Sequence, residues 1–455
     1  MVDFGGDPGS VTFLNHSSFL VDSGKTKILC DPWYRGAAFG NSWRLLAENS
    51  HQIAELDYDY IFLSHEHPDH FSIPTLNDLP EGKTFIYQKT VDGKVANYLR
   101  AKGHKVIEFS HGVKQTVGDI DVTIYVVDGY DSTVLFRLPS GNRVLNINDC
   151  RVELDSKLLR QIKEDTGSNV ELALVQFSYA NWAGNVGDSK IAELLHKQTL
   201  ERNKLVLDEF DPKYHLLFAS YVYFSHKENH YWNDHFWLPQ MESSLSSHGD
   251  SKIIVPIIDE KLRLDSMNVR SRNNEDAIEF WQNKHADVKI IDDQTVTYSE
   301  DELLQSFTEF YSNLWTDNEL SYAEKNLGSI PLSILVSDLG IVIELDLIDK
   351  AFSIHPSSNQ FDVVLCSEMI DFLFKNKFAR GTVTINGRIQ FNYETAFRFF
   401  VFFFIPYANN IGKFFTPDGL TKRDIYSINE TSVLSAIHTI NPEGIQSLDN
   451  YLSSK

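Results

Sequence analysis

At 455 residues the chain is too long for one ordinary core, and its formal charge of −22, from 41 basic against 63 acidic residues, gives no footprint for nucleic acid or an anionic membrane surface. Three widely spaced cysteines, Cys30, Cys150 and Cys366, do not make a disulfide framework and fit a reducing, cytoplasmic setting. The opening Met1-Val2-Asp3-Phe4 lacks the basic start and apolar run of a secretory signal, and the most apolar stretch, Phe397 to Tyr407, is about half of the ~20 residues a membrane span needs.

From Val11 to about Ile124 short apolar runs alternate with turn residues. Val11 to Leu14, Ser18 to Val21 and Lys27 to Cys30 read as consecutive strands of a meander. Tyr60-Ile61-Phe62-Leu63 is a continuous apolar run, as expected of a strand buried on both faces, and it ends in Ser64 and a group of histidines. Ser132 to Leu138, the turn Pro139 to Asn142, and Arg143 to Ile147 form a hairpin that delivers Asn148-Asp149-Cys150 to a strand end. Leu172 to Phe177 and Leu216 to Ala219 are further buried strands, separated by a helix with Ile191, Leu194 and Leu195 on one face. Residues 274–329 turn helical and charged, with Ser299 opening a helix that carries Leu303, Leu304, Phe307 and Phe310. From Ile330 strands resume, followed by a helix capped by Ser367, and Phe397 to Tyr407 is expected to be a buried helix.

The chemistry is concentrated in His65-Glu66-His67-Pro68-Asp69-His70. Imidazole nitrogens and a carboxylate within six residues, on the loop after a buried strand, are a ligand set for divalent metal. Two metals need more ligands, and those must come from other strand ends.

This segment resembles the metal-binding motif of metallo-β-lactamase-fold enzymes, and residues from His16 to about His235 resemble that whole domain. Leu29-Cys30-Asp31-Pro32-Trp33, Asp128 to Thr133, Val144 to Cys150 and Phe218 to His226 are more specifically similar to cytidine monophosphate N-acetylneuraminate hydroxylases. The resemblance implies a metallo-β-lactamase αββα sandwich over 1–273; the charged helical stretch 274–329 reads as a connector and the strands and helix of 330–455 as a smaller α+β domain, so the whole is an α+β chain. The resemblance also implies that His65 and His67 hold one metal, that Asp69 and His70 hold the other, and that Asp149 bridges them. His226 is the late ligand of the second metal, with His230 as substitute, and Asp69 and His226 are the candidate catalytic residues. Where most members have a further histidine on the first metal, this chain offers Asp128 or Asp131. That substitution adds negative charge and favours iron or manganese over zinc.

His16 reads either as a donor that orients a ligand or as an interior histidine, and Asp31 as a residue holding the loop beneath the cluster. Tyr179, Asn181, Trp182, Tyr221, Tyr223 and Trp232 are candidates for lining a substrate pocket. Gly381 to Arg388 and the phenylalanines after it resemble a sterol-carrier-type module.

Two chemistries fit the scaffold. An iron oxygenase would hydroxylate a small molecule, and a zinc hydrolase would use a metal-bound hydroxide on a phosphodiester, lactone or amide. The cofactors expected are two divalent ions, iron first, with zinc or manganese as alternatives. The hydroxylases resembled carry a Rieske cluster held by Cys and His pairs, which the three cysteines here do not supply, so the electrons are expected from a separate donor or from the substrate itself.

Overall fold

The computed structural model describes residues 9–127, 130–167, 170–264, 273–291, 295–356, 360–425, 428, 432–444 and 450. The chain divides into two compact units, the first comprising residues 1–179, 196–224 and 233–289, the second residues 180–195, 225–232 and 290–455.

The first unit contains β1 (Ser10–Asn15), β2 (Ser18–Asp22), β3 (Lys27–Cys30), β4 (Trp43–Leu45), β5 (Tyr60–Phe62), β6 (Thr84–Gln88), β7 (Lys105–Phe109), β8 (Gln115–Val117), β9 (Ile120–Val127), β10 (Asp131–Arg137), β11 (Arg143–Asn148), β12 (Leu172–Gln176), β13 (Tyr214–Phe218), β14 (Val222–Phe224), β15 (Lys252–Ile254) and β16 (Glu260–Arg263). Two seven-stranded sheets run in the orders β16-β1-β2-β3-β5-β6-β7 and β15-β13-β12-β11-β10-β9-β8, while β4 pairs with β14. The meander expected at the start is present as antiparallel β1-β2-β3. Tyr60 to Phe62 is, as read, a strand between two parallel neighbours.

Side-chain alternation explains why the two sheets stack. On β9, Ile120, Val122 and Ile124 enter the same core as Phe19 of β2, Phe62 of β5, Phe136 of β10 and Phe218 of β13. Phe19 meets Phe218 and Phe136 across the sheets, with ring centroids 5.4 and 6.4 Å apart. The opposite face of the second sheet, through Tyr125, Leu135, Leu145 and Val175, packs with Leu158, Ile162, Val206 and Phe210 of two helices. The opposite face of the first sheet, through Leu29, Ile61 and Phe85, packs with Leu76, Val95 and Leu99. The layers are therefore helix, sheet, sheet, helix.

The strand ends carry unusual backbone. His16 after β1, Asp31 after β3, Asn148 at the end of β11 and Ala219 after β13 have φ of 44°, 41°, 59° and 47°. Each costs a non-glycine residue about 1 kcal/mol. The Ala219 amide donates to the His16 carbonyl at 3.0 Å, tying two of these corners together.

In the second unit, β17 (Pro331–Val336), β18 (Ile341–Asp346), β19 (Ala351–Pro356), β20 (Val363–Leu365) and β21 (Gln390–Phe391) form one sheet in the order β19-β18-β17-β20-β21. Two short segments from earlier in the chain belong to it: Asn185 Nδ2 donates to Phe391 O at 2.8 Å, and Asn229 Nδ2 to Asn386 O at 2.6 Å. The stretch 274–329, read from sequence as one connector, is shared between the units. Helix Asn274–Ala286 buries Ala277 and Trp281 in the core of the first, whereas helices Glu300–Asp317 and Leu320–Leu327 belong to the second.

One cap differs from expectation. Cys366 has the extended backbone of an N-cap, so Ser367 is the first helical residue, and its hydroxyl donates to Asp338 at 2.6 Å. The Phe397 to Tyr407 stretch forms two short buried helices, Phe397–Phe402 and Phe404–Asn410. Among the described residues no helix is long and apolar enough to cross a membrane.

Candidate metal centre

The carboxyl ends of β5 and β11, with the corner after β1, bring six potential ligands together in the first unit. They fall into two groups, His65 with His67 and Asp149, and His16 with Asp69 and His70, and the ligand atoms within each group lie within 4.8 Å of one another. His65 Nε2 is 2.8 Å from His67 Nδ1 and 3.5 Å from Asp149 Oδ2. Asp69 Oδ2 is 3.4 Å from His70 Nε2 and 3.2 Å from His16 Nε2. The same Asp149 oxygen is 3.7 Å from His70 Nε2, so this carboxylate stands between the two groups.

A buried polar network fixes these rings. Asp31, fully buried, accepts from the Ser64 amide and hydroxyl at 2.7 Å each and faces His70 Nδ1 at 3.1 Å. Asn148 Nδ2 reaches Ser64 Oγ at 3.1 Å and Asp31 Oδ2 at 3.3 Å. Ser64 Oγ also lies 2.9 Å from His65 Nδ1, leaving the Nε2 edges of His65 and His70 turned toward the carboxylates. Ser132 Oγ donates to the Ser64 carbonyl at 2.6 Å, so β10 holds the start of the histidine loop.

Burial and charge act against each other here. Burial alone would raise the Asp69 carboxyl, but His70 and His16 outweigh it and hold Asp69 well below the usual carboxylate range. Burial also lowers His70, yet Asp69, Asp149 and Asp31 together push it well above an ordinary histidine. His65 and His16 are lowered, in both cases chiefly by burial. Asp69 Oδ1 and Asp149 Oδ1 are buried without a hydrogen-bond partner. An unpartnered buried carboxylate oxygen costs several kcal/mol, and a cation removes that cost. The donor set, imidazole nitrogen with carboxylate oxygen, fits two divalent ions.

The candidates from sequence are distributed as follows. His65, His67, Asp69, His70 and Asp149 converge. Asp128 lies outside the described residues. Asp131, the first residue of β10, is close enough for its charge to raise the His65 pKa. His226 is in neither group; it belongs to the second unit, where Nε2 is 3.1 Å from Thr295 Oγ1 and Nδ1 is 3.4 Å from Glu228 Oε2. His230 follows it in the same unit, its amide donating to the His226 carbonyl. Two of the aromatic candidates for a pocket are buried packing residues: Tyr221 stacks on Trp281 at 4.2 Å, and Trp182 donates from Nε1 to Ile389 O at 3.2 Å. The roles of Ser64 and Asn148 escaped sequence reasoning. The signal available was their position, each beside a ligand at a strand end.

Residues 10–123 match the model of the beta-lactamase superfamily domain. The first unit is a metallo-β-lactamase-fold domain. Among curated relatives, cytidine monophosphate-N-acetylneuraminic acid hydroxylase of Danio rerio is 25% identical over 235 residues, covering 49% of this chain and 40% of the relative. A putative Rieske 2Fe-2S iron-sulfur protein of Mycolicibacterium smegmatis is 31% identical over 192 residues, covering 39% and 36%. This chain thus spans about two-fifths of the length of the relatives it matches. Among solved structures, CmlA, a diiron β-hydroxylase from Streptomyces venezuelae, aligns with a TM-score of 0.39 at 15% identity over 56% of this chain and 54% of that one. The matches bring no support for the sterol-carrier likeness of the C-terminal part.

Proposed function

We propose that the first unit is a dinuclear metal enzyme that hydroxylates a small molecule, with iron as its metal. The observation that carries this reading is Asp149, one of whose oxygens lies 3.5 Å from His65 Nε2 and 3.7 Å from His70 Nε2, the position of a carboxylate shared by two ions. His65 and His67 would hold the first ion, Asp69 and His70 the second, and Asp131 is the described carboxylate suited to complete the first site. Iron would supply the redox chemistry that activates dioxygen.

The chain's own residues do the rest. Asp31, Ser64 and Asn148 keep His65 and His70 in one orientation, so that little reorganisation accompanies reaction. Carboxylate ligands stabilise the higher oxidation state of iron by Coulomb attraction, and hydroxylases stand among the curated relatives, which together favour oxygen chemistry over hydrolysis. Hydroxylation also consumes two electrons, which this reading assigns to a reductant distinct from the metal-binding unit.

The test uses metal-free protein reloaded with Fe(II) or Zn(II), a chemical reductant, and cytidine monophosphate-N-acetylneuraminic acid as first substrate. Dioxygen uptake that rises with substrate in the iron form alone is expected. A zinc form that cleaves bis(p-nitrophenyl) phosphate without oxygen, beside an inert iron form, would replace this reading with a hydrolase.

A further inference from the structure

We infer that His16 is a ligand of the second metal ion, bound through Nε2, so that the first hairpin of the fold supplies an imidazole to a site otherwise made by the histidine loop and the end of β11. The inference rests on the two-metal reading above.

The distances suit it. Ligand atoms on neighbouring corners around one ion, with metal bonds of about 2.1 Å, stand about 3.0–3.4 Å apart. Asp69 Oδ2 is 3.2 Å from His16 Nε2 and 3.4 Å from His70 Nε2, so one carboxylate oxygen keeps that spacing from both imidazoles. The three ligand atoms are mutually within 4.8 Å.

The local fold is organised around that ring. His16 holds φ at 44°, a conformation that glycine would adopt without cost, yet the side chain here is a histidine only 1% exposed. The ring meets Trp33 edge-on at 5.6 Å and His70 at 5.9 Å. The two residues that follow it anchor the turn: Ser17 Oγ donates to the Asp69 carbonyl at 3.2 Å and Ser18 Oγ to the Asp31 carbonyl at 2.6 Å. A histidine needed only as packing would not require a strained corner pinned through the next two residues to the loops that carry Asp69 and Asp31.

The competing role is hydrogen bonding, in which Nε2–H donates to Asp69 and no metal is touched. Titration of metal-free full-length chain with Co²⁺, followed by binding heat and visible absorption, separates the two. Wild type is expected to bind two ions. His16→Phe keeps the ring packing against Trp33 and is expected to bind one, with loss of part of the visible spectrum. His16→Gln can still donate to Asp69 but is a poor ligand, so ligation predicts at least tenfold weaker binding of the second ion in it as well. Two ions bound at wild-type affinity by His16→Gln, with an unaltered spectrum, would overturn the assignment and leave His16 as a positioning residue. If His16→Phe fails to fold, His16→Gln alone decides. Wild type binding fewer than two ions would overturn the two-metal reading and this assignment with it.

Discussion

Replacing Asp31 by asparagine tests whether the polar network beneath the cluster governs metal binding. The Asp31 carboxylate, fully buried, accepts from Ser64 N and Ser64 Oγ and faces His70 Nδ1 and Asn148 Nδ2. In Asp31→Asn the remaining oxygen can serve Ser64, but the new NH₂ group is set against Asn148 Nδ2, also a donor, and against the His70 ring. Two charge-assisted bonds at about 1.5–3 kcal/mol each are lost, giving an upper bound of ~6 kcal/mol, and the usual cost of breaking a buried pair is about 3–5 kcal/mol. Because one of the bonds lost is the one that orients His70, affinity for the second ion should fall about 10–100-fold. Chelator-treated protein titrated with metal, alongside urea unfolding of the apo form, measures both. Unchanged affinity together with an unchanged urea midpoint would refute the reasoning.

His215 on β13 is fully buried with Nε2 2.8 Å from Asn203 Oδ1, and burial pushes its pKa down to about 3. The folded form binds its proton more weakly than the unfolded chain, so this contribution is complete above about pH 6.5 and is lost as pH falls toward 3, by at most about 1.4 kcal/mol per unit. His215→Gln should flatten the acid limb of the stability curve relative to wild type, and coincident limbs would count against it. In the second unit, buried Arg388 binds Glu228 at 2.7 Å and Glu368 at 2.6 Å. Arg388→Leu takes the guanidinium away from both carboxylates and should destabilise by about 3 kcal/mol in thermal or urea unfolding, with an unshifted transition as the contrary result.

The parts legible in sequence were those whose signal is local. The apolar run before Ser64 and the hairpin ending at Asp149 carry their own periodicity, so β5 and β11 and the ligands at their ends could be placed without distant information. The division into units could not be read in this way. Asn185 and Asn229 look like loop residues, and their partners Phe391 and Asn386 lie 206 and 157 residues away. His16 was ambiguous for a similar reason: nothing near it in sequence reveals a left-handed corner or an Asp69 oxygen 3.2 Å away. At residue 366 the backbone decided the cap, since its dihedrals leave Ser367 already inside the helix.

On the proposed function, Asp149 would be the carboxylate common to two metal ions. Elemental analysis of folded wild type and Asp149→Ala, each purified without added metal and then equilibrated with Fe(II) under anaerobic conditions, tests it most directly. Two ions per wild-type chain are expected, with loss of most of the metal in the variant while its circular dichroism is retained. Equal metal content in the two proteins would contradict it.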